Sequence, residues 1–284
     1  MDIIVAIILG IIEGLTEWLP ISSTGHLLIA QEFIRLNQSQ DFKNMFDVVI
    51  QLGAILSVVV LYWNQLMPFN KLVKKDKQKS AREVQLTWQL WAKIIIATIP
   101  AVIIGFPLND WLEEHFMNIG TVALTLIIYG VLFIVIERRY VPGHDFKVFD
   151  LHRLSYRYAL YIGLFQLLSL VPGTSRSGAT IVGALLIGVS RAVAAEFTFF
   201  LGVPIMFGAS FLKLLKYFAA GNGFTGEQFL ILILAFAVAF GVSMLAIRWL
   251  MSFVKRHDFT AFGKYRIVLG VLLLPYLLLK LMFG

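Results

Sequence analysis

Glu13-Gly-Leu-Thr-Glu17-Trp-Leu-Pro20-Ile-Ser-Ser-Thr-Gly-His26 interrupts a long apolar stretch, Asp2–Phe33, with two acids, a proline and a run of hydroxyls. At membrane depth a broken helix survives only where protein or a watery cavity satisfies its freed backbone groups. A second apolar stretch, Tyr156–Ser190, is broken near its middle by Pro172-Gly-Thr-Ser-Arg-Ser-Gly178. Both stretches therefore read as re-entrant hairpins lining a polar pocket.

The rest of the chain supports a membrane setting. Of 284 residues, 59% are hydrophobic and 14% charged, and the mean hydropathy is +0.82. A soluble domain carries about 25% charge, so this chain has too little polar surface to cover a globule. Six further stretches are long enough for ordinary spanning helices: about Phe46–Trp63, Gln89–Phe106, Ile119–Ile136, Glu196–Leu215, Gln228–Leu250 and Tyr265–Met282. The expected fold is an all-α polytopic membrane protein, a single domain over 1–284, with six transmembrane helices and two re-entrant broken-helix hairpins. The absence of cysteine excludes disulfides, thiolate metal sites and cysteine nucleophiles. A net charge of +7 is first a topology signal, and nucleic acid is not an expected partner.

Basic residues set the expected orientation. One set of loops holds Lys71, Lys74, Lys75, Lys77, Lys79 and Arg82, then Arg138, Arg139, Lys147, Arg153 and Arg157, then Lys255, Arg256, Lys264 and Arg266. The alternate loops hold only Arg35, Lys43 and Lys216, so 15 basic residues face 3 and the first set is expected to be cytoplasmic. Both termini then fall outside. The N-terminus lacks a basic region, and Glu13 and Glu17 interrupt its apolar run, so it does not read as a cleavable signal peptide. Lys93, Lys213, Arg248 and Lys280 near span ends are expected to snorkel. Trp18, Trp63, Trp88, Trp91 and Trp249 are expected to anchor at the interface. His115, His144, His152 and His257 are expected in solvated loops.

The two broken stretches resemble each other. Gly10-Ile-Ile-Glu13 lines up with Gly163-Leu-Phe-Gln166, and with one gap Pro20-Ile-Ser-Ser-Thr lines up with Pro172-Gly-Thr-Ser-Arg. Asp47…Gln51-Leu-Gly53 lines up with Glu196…Phe200-Leu-Gly202. Three spans separate the copies, so the repeats, about 1–140 and 153–284, must be inverted in the membrane. That architecture is typical of secondary transporters with a site built by discontinuous helices. The competing explanation is chance recurrence of short Gly/Pro patterns in apolar sequence.

Ionisable groups inside a membrane are expensive, so each is a functional candidate. Glu13 and Glu17, four apart on one helical face, would repel unless a cation or proton sits between them. A hard divalent ion, Mg or Ca, with phosphate oxygens as further ligands would suit them; otherwise the acids simply face water on an interfacial helix. Ser22, Ser23 and His26 follow the first break. Ser23 and His26 can face one pocket, and a hydroxyl near an imidazole is a minimal nucleophile–base pair; the plainer reading is a serine cap with a histidine in the first turn. At the second break, Gly173 and Gly178 allow close backbone approach, and the following helix start favours an anion. Arg176 adds a fork matched to phosphate, and Thr174, Ser175, Ser177 and Thr180 add polar contacts. Arg176 could equally clamp the hairpin's own carbonyls. The spacing is reminiscent of a P-loop, but Ala179 stands where lysine is required and no strand precedes it. Asp47, Arg191 and Glu196 read as structural braces. Taken together, acids for a metal, arginine for phosphate and Ser/His for attack describe phosphoryl hydrolysis in a pocket open to lipid.

These two motifs, Glu13–His26 and Pro172–Thr180, with Gln51-Leu-Gly53-Ala and Gly188-Val-Ser-Arg191, closely resemble the bacterial undecaprenyl-diphosphate phosphatases, the bacitracin-resistance protein family. The resemblance spans essentially the full length. It implies hydrolysis of a C55 isoprenyl diphosphate to the monophosphate plus inorganic phosphate, recycling the carrier for peptidoglycan synthesis. It also implies a divalent cation, a multi-pass protein of the bacterial inner membrane, and a site facing the outer side. Carried across, Glu13 and Glu17 organise the metal, Ser23 and His26 form the catalytic pair, and Arg176 clamps the diphosphate. Ser22, Gly173, Thr174, Ser175, Ser177 and Thr180 contact substrate. The nucleophile stays open among Ser23, His26 and water, and a homodimer is compatible with this reading. Because Gln166 replaces Glu13 and Leu170 falls opposite Glu17, one asymmetric site is expected. The rivals are a polyprenyl-phosphate transporter or flippase without hydrolysis, and a membrane protein whose polar breaks only brace hairpins.

Overall fold

The computed structural model describes residues 1–69, 72, 78–139 and 146–283. Lys71, Lys74, Lys75, Lys77 and His144 lie outside the described residues. The regular elements in this range are helices joined by turns and loops, and one isolated parallel bridge, Val148 to Val189, ties two of the connections together.

The first apolar stretch forms α1 (Asp2–Thr16) and α2 (Ser23–Phe33), separated where the sequence places Pro20. There follow α3 (Gln40–Leu61), the short α4 (Trp63–Leu66), α5 (Ala81–Pro100), α6 (Phe106–Phe116) and α7 (Ile119–Arg139). Pro100 lacks the N–H that a regular turn needs, and α5 continues through a widened π turn over Ala101–Gly105. The second broken stretch forms α8 (Tyr156–Gln166), a tight turn Leu167–Leu170 and α9 (Arg176–Leu186). The chain closes with α10 (Arg191–Ala219), α11 (Gly226–Phe253) and α12 (Thr260–Phe283). Starts are marked by hydroxyl caps: Ser80 with Glu83 before α5 and Thr225 with Gln228 before α11 each form a reciprocal capping box.

Among the described residues, six helices are long and apolar enough to cross a membrane: α3, α5 with its π turn, α7, α10, α11 and α12. They coincide with the six stretches expected from sequence. The two broken stretches supply no helix of that length.

Packing in the two halves follows matched rules. The first broken stretch docks α1 on α11, and the second docks α8 on α5. Each does so through a glycine in direct backbone contact: a Cβ on Gly10 would lie 2.7 Å from the Ala235 carbonyl, and one on Gly163 would overlap Ala97. Small residues are the usual means of bringing helices together in lipid, where hydrophobic driving force between them is missing. Helices α7 and α12 meet reciprocally, Gly130 and Gly263 each facing the other's carbonyl at 2.7 Å from the Cβ position. Beside this contact the fully buried Glu137 accepts from Arg191 (2.6 and 3.0 Å) and from the Phe259 amide (3.0 Å), tying α7, α10 and the start of α12. Arg191 is thus a brace.

Three sequence expectations are corrected here. Trp18 is fully buried, edge-on against Phe199 at 5.3 Å, and is no interface anchor. Lys93 is 4% exposed and does not snorkel; its ammonium donates to the His152 carbonyl at 2.8 Å. Arg266 belongs to no loop. Asp258 caps the Thr260 amide at 3.0 Å, α12 starts there, and Arg266 is carried inside the helix and fully buried.

Candidate active site

Both breaks end on the same local device. Ser22 and Ser175 have φ of 76° and 73°, a left-handed conformation that costs a side-chain-bearing residue about 1–2 kcal/mol. Each serine hydroxyl accepts from the amide three residues on, Gly25 at 3.2 Å and Gly178 at 3.1 Å, starting α2 and α9. This equivalence shifts the sequence alignment by one residue, matching Ser22 with Ser175 and so Ser23 with Arg176.

Those next residues meet on one carboxylate. Ser23 Oγ donates to Glu17 Oε2 at 2.6 Å, and Arg176 Nη2 donates to Glu17 Oε1 at 3.0 Å. Glu17 and Ser23 are buried, and the Arg176 side chain is only 12% exposed. The guanidinium also donates through Nη1 to the Thr198 carbonyl at 3.0 Å and lies over the Trp18 ring at 5.4 Å. Arg176 therefore links the second break to the first through Glu17 and to the long helix α10 through Thr198. Thr180 buttresses this arrangement, donating to the Arg176 carbonyl at 2.9 Å and pairing with the Thr198 hydroxyl at 2.8 Å.

Glu13 sits one helical turn before Glu17. It is fully buried, and neither of its carboxylate oxygens has a hydrogen-bond partner among the described residues. An orphaned acid beside a second carboxylate is the donor set that a hard cation needs, so the residues fit a divalent ion completed by phosphate oxygens and water. Among the described residues no cluster of three His, Asp or Glu side chains forms a site by itself.

His26 turns away from Ser23. Its Nδ1 lies 2.7 Å from the Ser22 carbonyl, which only accepts, so Nδ1 carries the proton. Nε2 then accepts from the Tyr265 hydroxyl at 2.7 Å, and the two rings lie parallel with centroids 5.7 Å apart. The expected Ser23–His26 pairing is not made in this structure; Ser23 is hydrogen-bonded to Glu17 instead.

The remaining hydroxyls hold the breaks together. Ser177 Oγ lies 3.3 Å from the Glu17 carbonyl and 3.2 Å from that of Leu19, and 3.1 Å from Ser175 Oγ. Gly173 turns with φ of 85° and packs against Val122 and Thr125, so its missing side chain admits α7 to the break. Thr174 is buried, and its carbonyl is occupied.

Sequence reading missed the group that occupies it. Arg266 donates to the carbonyls of Pro20 (3.1 Å), Gly173 (2.9 Å) and Thr174 (2.9 Å), one guanidinium bridging both breaks from α12. It stacks over Tyr129 at 5.5 Å. The clamp on hairpin carbonyls weighed for Arg176 is thus the role of Arg266. The signal was available in Asp258 and Thr260, a helix start that puts Tyr265 and Arg266 on one turn facing the breaks. Thr198 gave no comparable signal, since it contributes mainly its carbonyl.

Six membrane-length helices around an acid–hydroxyl–guanidinium centre, built where two helices break, define a polytopic membrane protein with a site suited to phosphoryl chemistry. The chain belongs to the bacitracin resistance protein BacA family, which its residues 6–272 match. It is 71% identical over 284 residues to an undecaprenyl-diphosphatase of Lactococcus lactis subsp. cremoris (strain SK11), with all of both chains covered. It is 69% identical to the undecaprenyl-diphosphatase of Lactococcus lactis subsp. lactis, again over the whole of both chains. Identity is 58% to that of Streptococcus mutans serotype c, covering 100% of this chain and 99% of the other.

Proposed function

We infer that this protein hydrolyses undecaprenyl diphosphate to undecaprenyl phosphate and inorganic phosphate, returning the lipid carrier to cell-wall synthesis. Full-length similarity to undecaprenyl-diphosphatases supports the reaction. The observation that carries the residue assignment is the meeting of Ser23 and Arg176 on Glu17.

In this mechanism Arg176 exchanges part of its bonding to Glu17 for the diphosphate, its fork matching two phosphate oxygens. Glu17 accepts the Ser23 proton along the 2.6 Å hydrogen bond as Ser23 Oγ attacks the terminal phosphorus. The bond from that phosphorus to the bridging oxygen breaks, and undecaprenyl phosphate leaves. Water then attacks the phosphoserine phosphorus, the bond from phosphorus to Oγ breaks as Glu17 returns its proton to Ser23 Oγ, and inorganic phosphate leaves with the water's oxygen and protons. Glu13 and Glu17 would hold a divalent cation, which would supply neutralisation of charge on the phosphate oxygens. Arg266 is a positioning residue that keeps the two breaks at reacting distance. His26, held by Tyr265, flanks the centre as a proton donor or acceptor for departing phosphate.

The glycine contacts of α1 and α8, and the shared conformation of Ser22 and Ser175, support inverted repeats over about 1–140 and 153–284. With the broken stretches re-entrant, both breaks reach one depth. The loop charges that remain after Arg266 is moved to the interior favour a plasma-membrane protein whose site opens outward.

The test is phosphate release from undecaprenyl diphosphate by purified protein in detergent, with and without chelator. Turnover is expected in wild type with metal. It should be lost with chelator and in Ser23→Ala, Glu17→Ala and Arg176→Ala proteins that remain folded. A phosphorylated Ser23 should be trapped when turnover is quenched in acid. No release from folded, metal-supplied wild type overturns the reading, and an intact reaction in Ser23→Ala removes the serine from its role.

A further inference from the structure

A cavity of about 520 Å³ opens where the C-terminal ends of α3 and α11 meet, and none of its lining residues belongs to the acid–arginine centre. Its lining combines an apolar side, Leu61, Tyr62, Ile247 and Met251, with a polar share from Ser252 and the cations Arg248, Lys255 and Arg256. The three basic side chains are exposed. Among the described residues neither Arg248 nor Arg256 has a side-chain hydrogen bond or ion pair. Acids offset little of this charge. Glu196, on α10, lies near Lys255 and Tyr62, and Asp258 is turned toward the Thr260 amide and Arg191. Among the described residues, one nearby acid against three cations leaves the cavity positive.

Cations near helix C-termini complement the helix dipole without any ligand. That does not explain their convergence on a cavity with an apolar wall from a second helix. The volume falls within the range of small-molecule sites, about 300–1,000 Å³. Trp63, which opens α4 just after α3, and Trp249, near the end of α11, are 36% and 51% exposed, the placement of indoles at a membrane–water interface. A cavity that joins apolar lining to three cations beside exposed indoles matches a phosphate joined to acyl chains better than a free anion, which would use the cations alone.

We propose that this cavity binds the headgroup of an anionic phospholipid. The phosphate sits between Arg248 and Arg256, Lys255 and Ser252 add donors, and the first acyl carbons lie against Tyr62 and Met251. The site is separate from the reacting centre and independent of the reaction assigned to it.

Native mass spectrometry of the full chain in detergent tests this, with phosphatidylglycerol and phosphatidylcholine of identical acyl chains offered at equal concentration. Wild type should retain phosphatidylglycerol with a preference of roughly tenfold or more. An Arg248→Gln/Lys255→Gln/Arg256→Gln protein should lose that preference, whereas Arg248→Lys/Arg256→Lys should keep most of it. Met251→Trp, which fills the apolar wall and leaves all charges, should also release the lipid, so the proposal stays testable if the triple variant misfolds. Equal retention of the two lipids by wild type overturns the proposal, as does a preference surviving in the triple variant or in Met251→Trp. Displacement of phosphatidylglycerol by millimolar inorganic phosphate would make this a free-phosphate site and would overturn it too.

Discussion

The two breaks share a backbone and differ in chemistry. Both restart a helix on a serine in the left-handed conformation whose hydroxyl caps the amide three residues on. Both follow a helix that docks through a glycine. Yet the residue after the serine is Ser23 in one and Arg176 in the other, and the buried polar group nine residues before the serine is Glu13 in one and Gln166 in the other. Gln166, like Glu13, is buried with no side-chain partner among the described residues. A symmetric site would oppose acid to acid and arginine to arginine, each pair repelling in a poorly screened interior. Dividing the groups places the acids and hydroxyl on one break and the guanidinium on the other, so the pair attracts.

That division predicts where substitutions hurt most. Glu13→Gln/Glu17→Gln should reduce phosphate release by roughly 10³-fold or more, since it removes the proton acceptor and the cation site together. Adding Gln166→Glu should restore nothing, because the second break has no hydroxyl placed to use an acid. Metal-dependent turnover in the double variant would break the asymmetry outright. Next in size, Arg176→Lys should cost roughly 10²–10³-fold, the scale of losing one charge-stabilising donor. A lysine carries the charge but cannot reach Glu17, the Thr198 carbonyl and a phosphate in one plane. Wild-type rates in that variant would show that charge alone suffices there.

Arg266→Lys should cost less, roughly 10²-fold, the effect of a misplacement of about 1 Å at a reacting centre. Arg266 touches both breaks and neither reacting group, so the loss should fall on kcat with KM nearly unchanged. A rise in KM at constant kcat would instead make Arg266 a substrate contact.

How much of this was legible in sequence depends on what each residue's signal was. Proline and glycine punctuation located both breaks, and hydropathy located all six long helices, because these follow local rules. Glu13, Glu17 and Arg176 stood out because charge in apolar sequence is costly. Partners were harder. That Ser23 bonds to Glu17 and His26 to Tyr265 depends on how α2 rotates after Ser22, and a three-residue spacing could not fix that rotation. Arg266 was hidden by context: beside Lys255, Arg256 and Lys264 it looked like loop charge. Only the start of α12 at Thr260 turns it inward. Trp18 was misplaced for a related reason, since indoles suit both interfaces and buried arginine faces.

The smallest effects test the shared skeleton itself. Ser22 and Ser175 each combine a strained φ with a cap hydrogen bond. Replacement by alanine keeps the strain and removes the bond, a loss of about 1 kcal/mol for a helix cap. Replacement by glycine removes the bond and also relieves the strain, leaving a net loss of only a few tenths of a kcal/mol. Thermal unfolding in detergent should therefore rank wild type, glycine and alanine in that order at both positions, with similar spacing. Matching shifts at Ser22 and Ser175 would mean that the breaks are one structural device used twice. A large shift at Ser22 and none at Ser175 would mean that the resemblance ends at the dihedral angle, with the second break held by Arg266 alone.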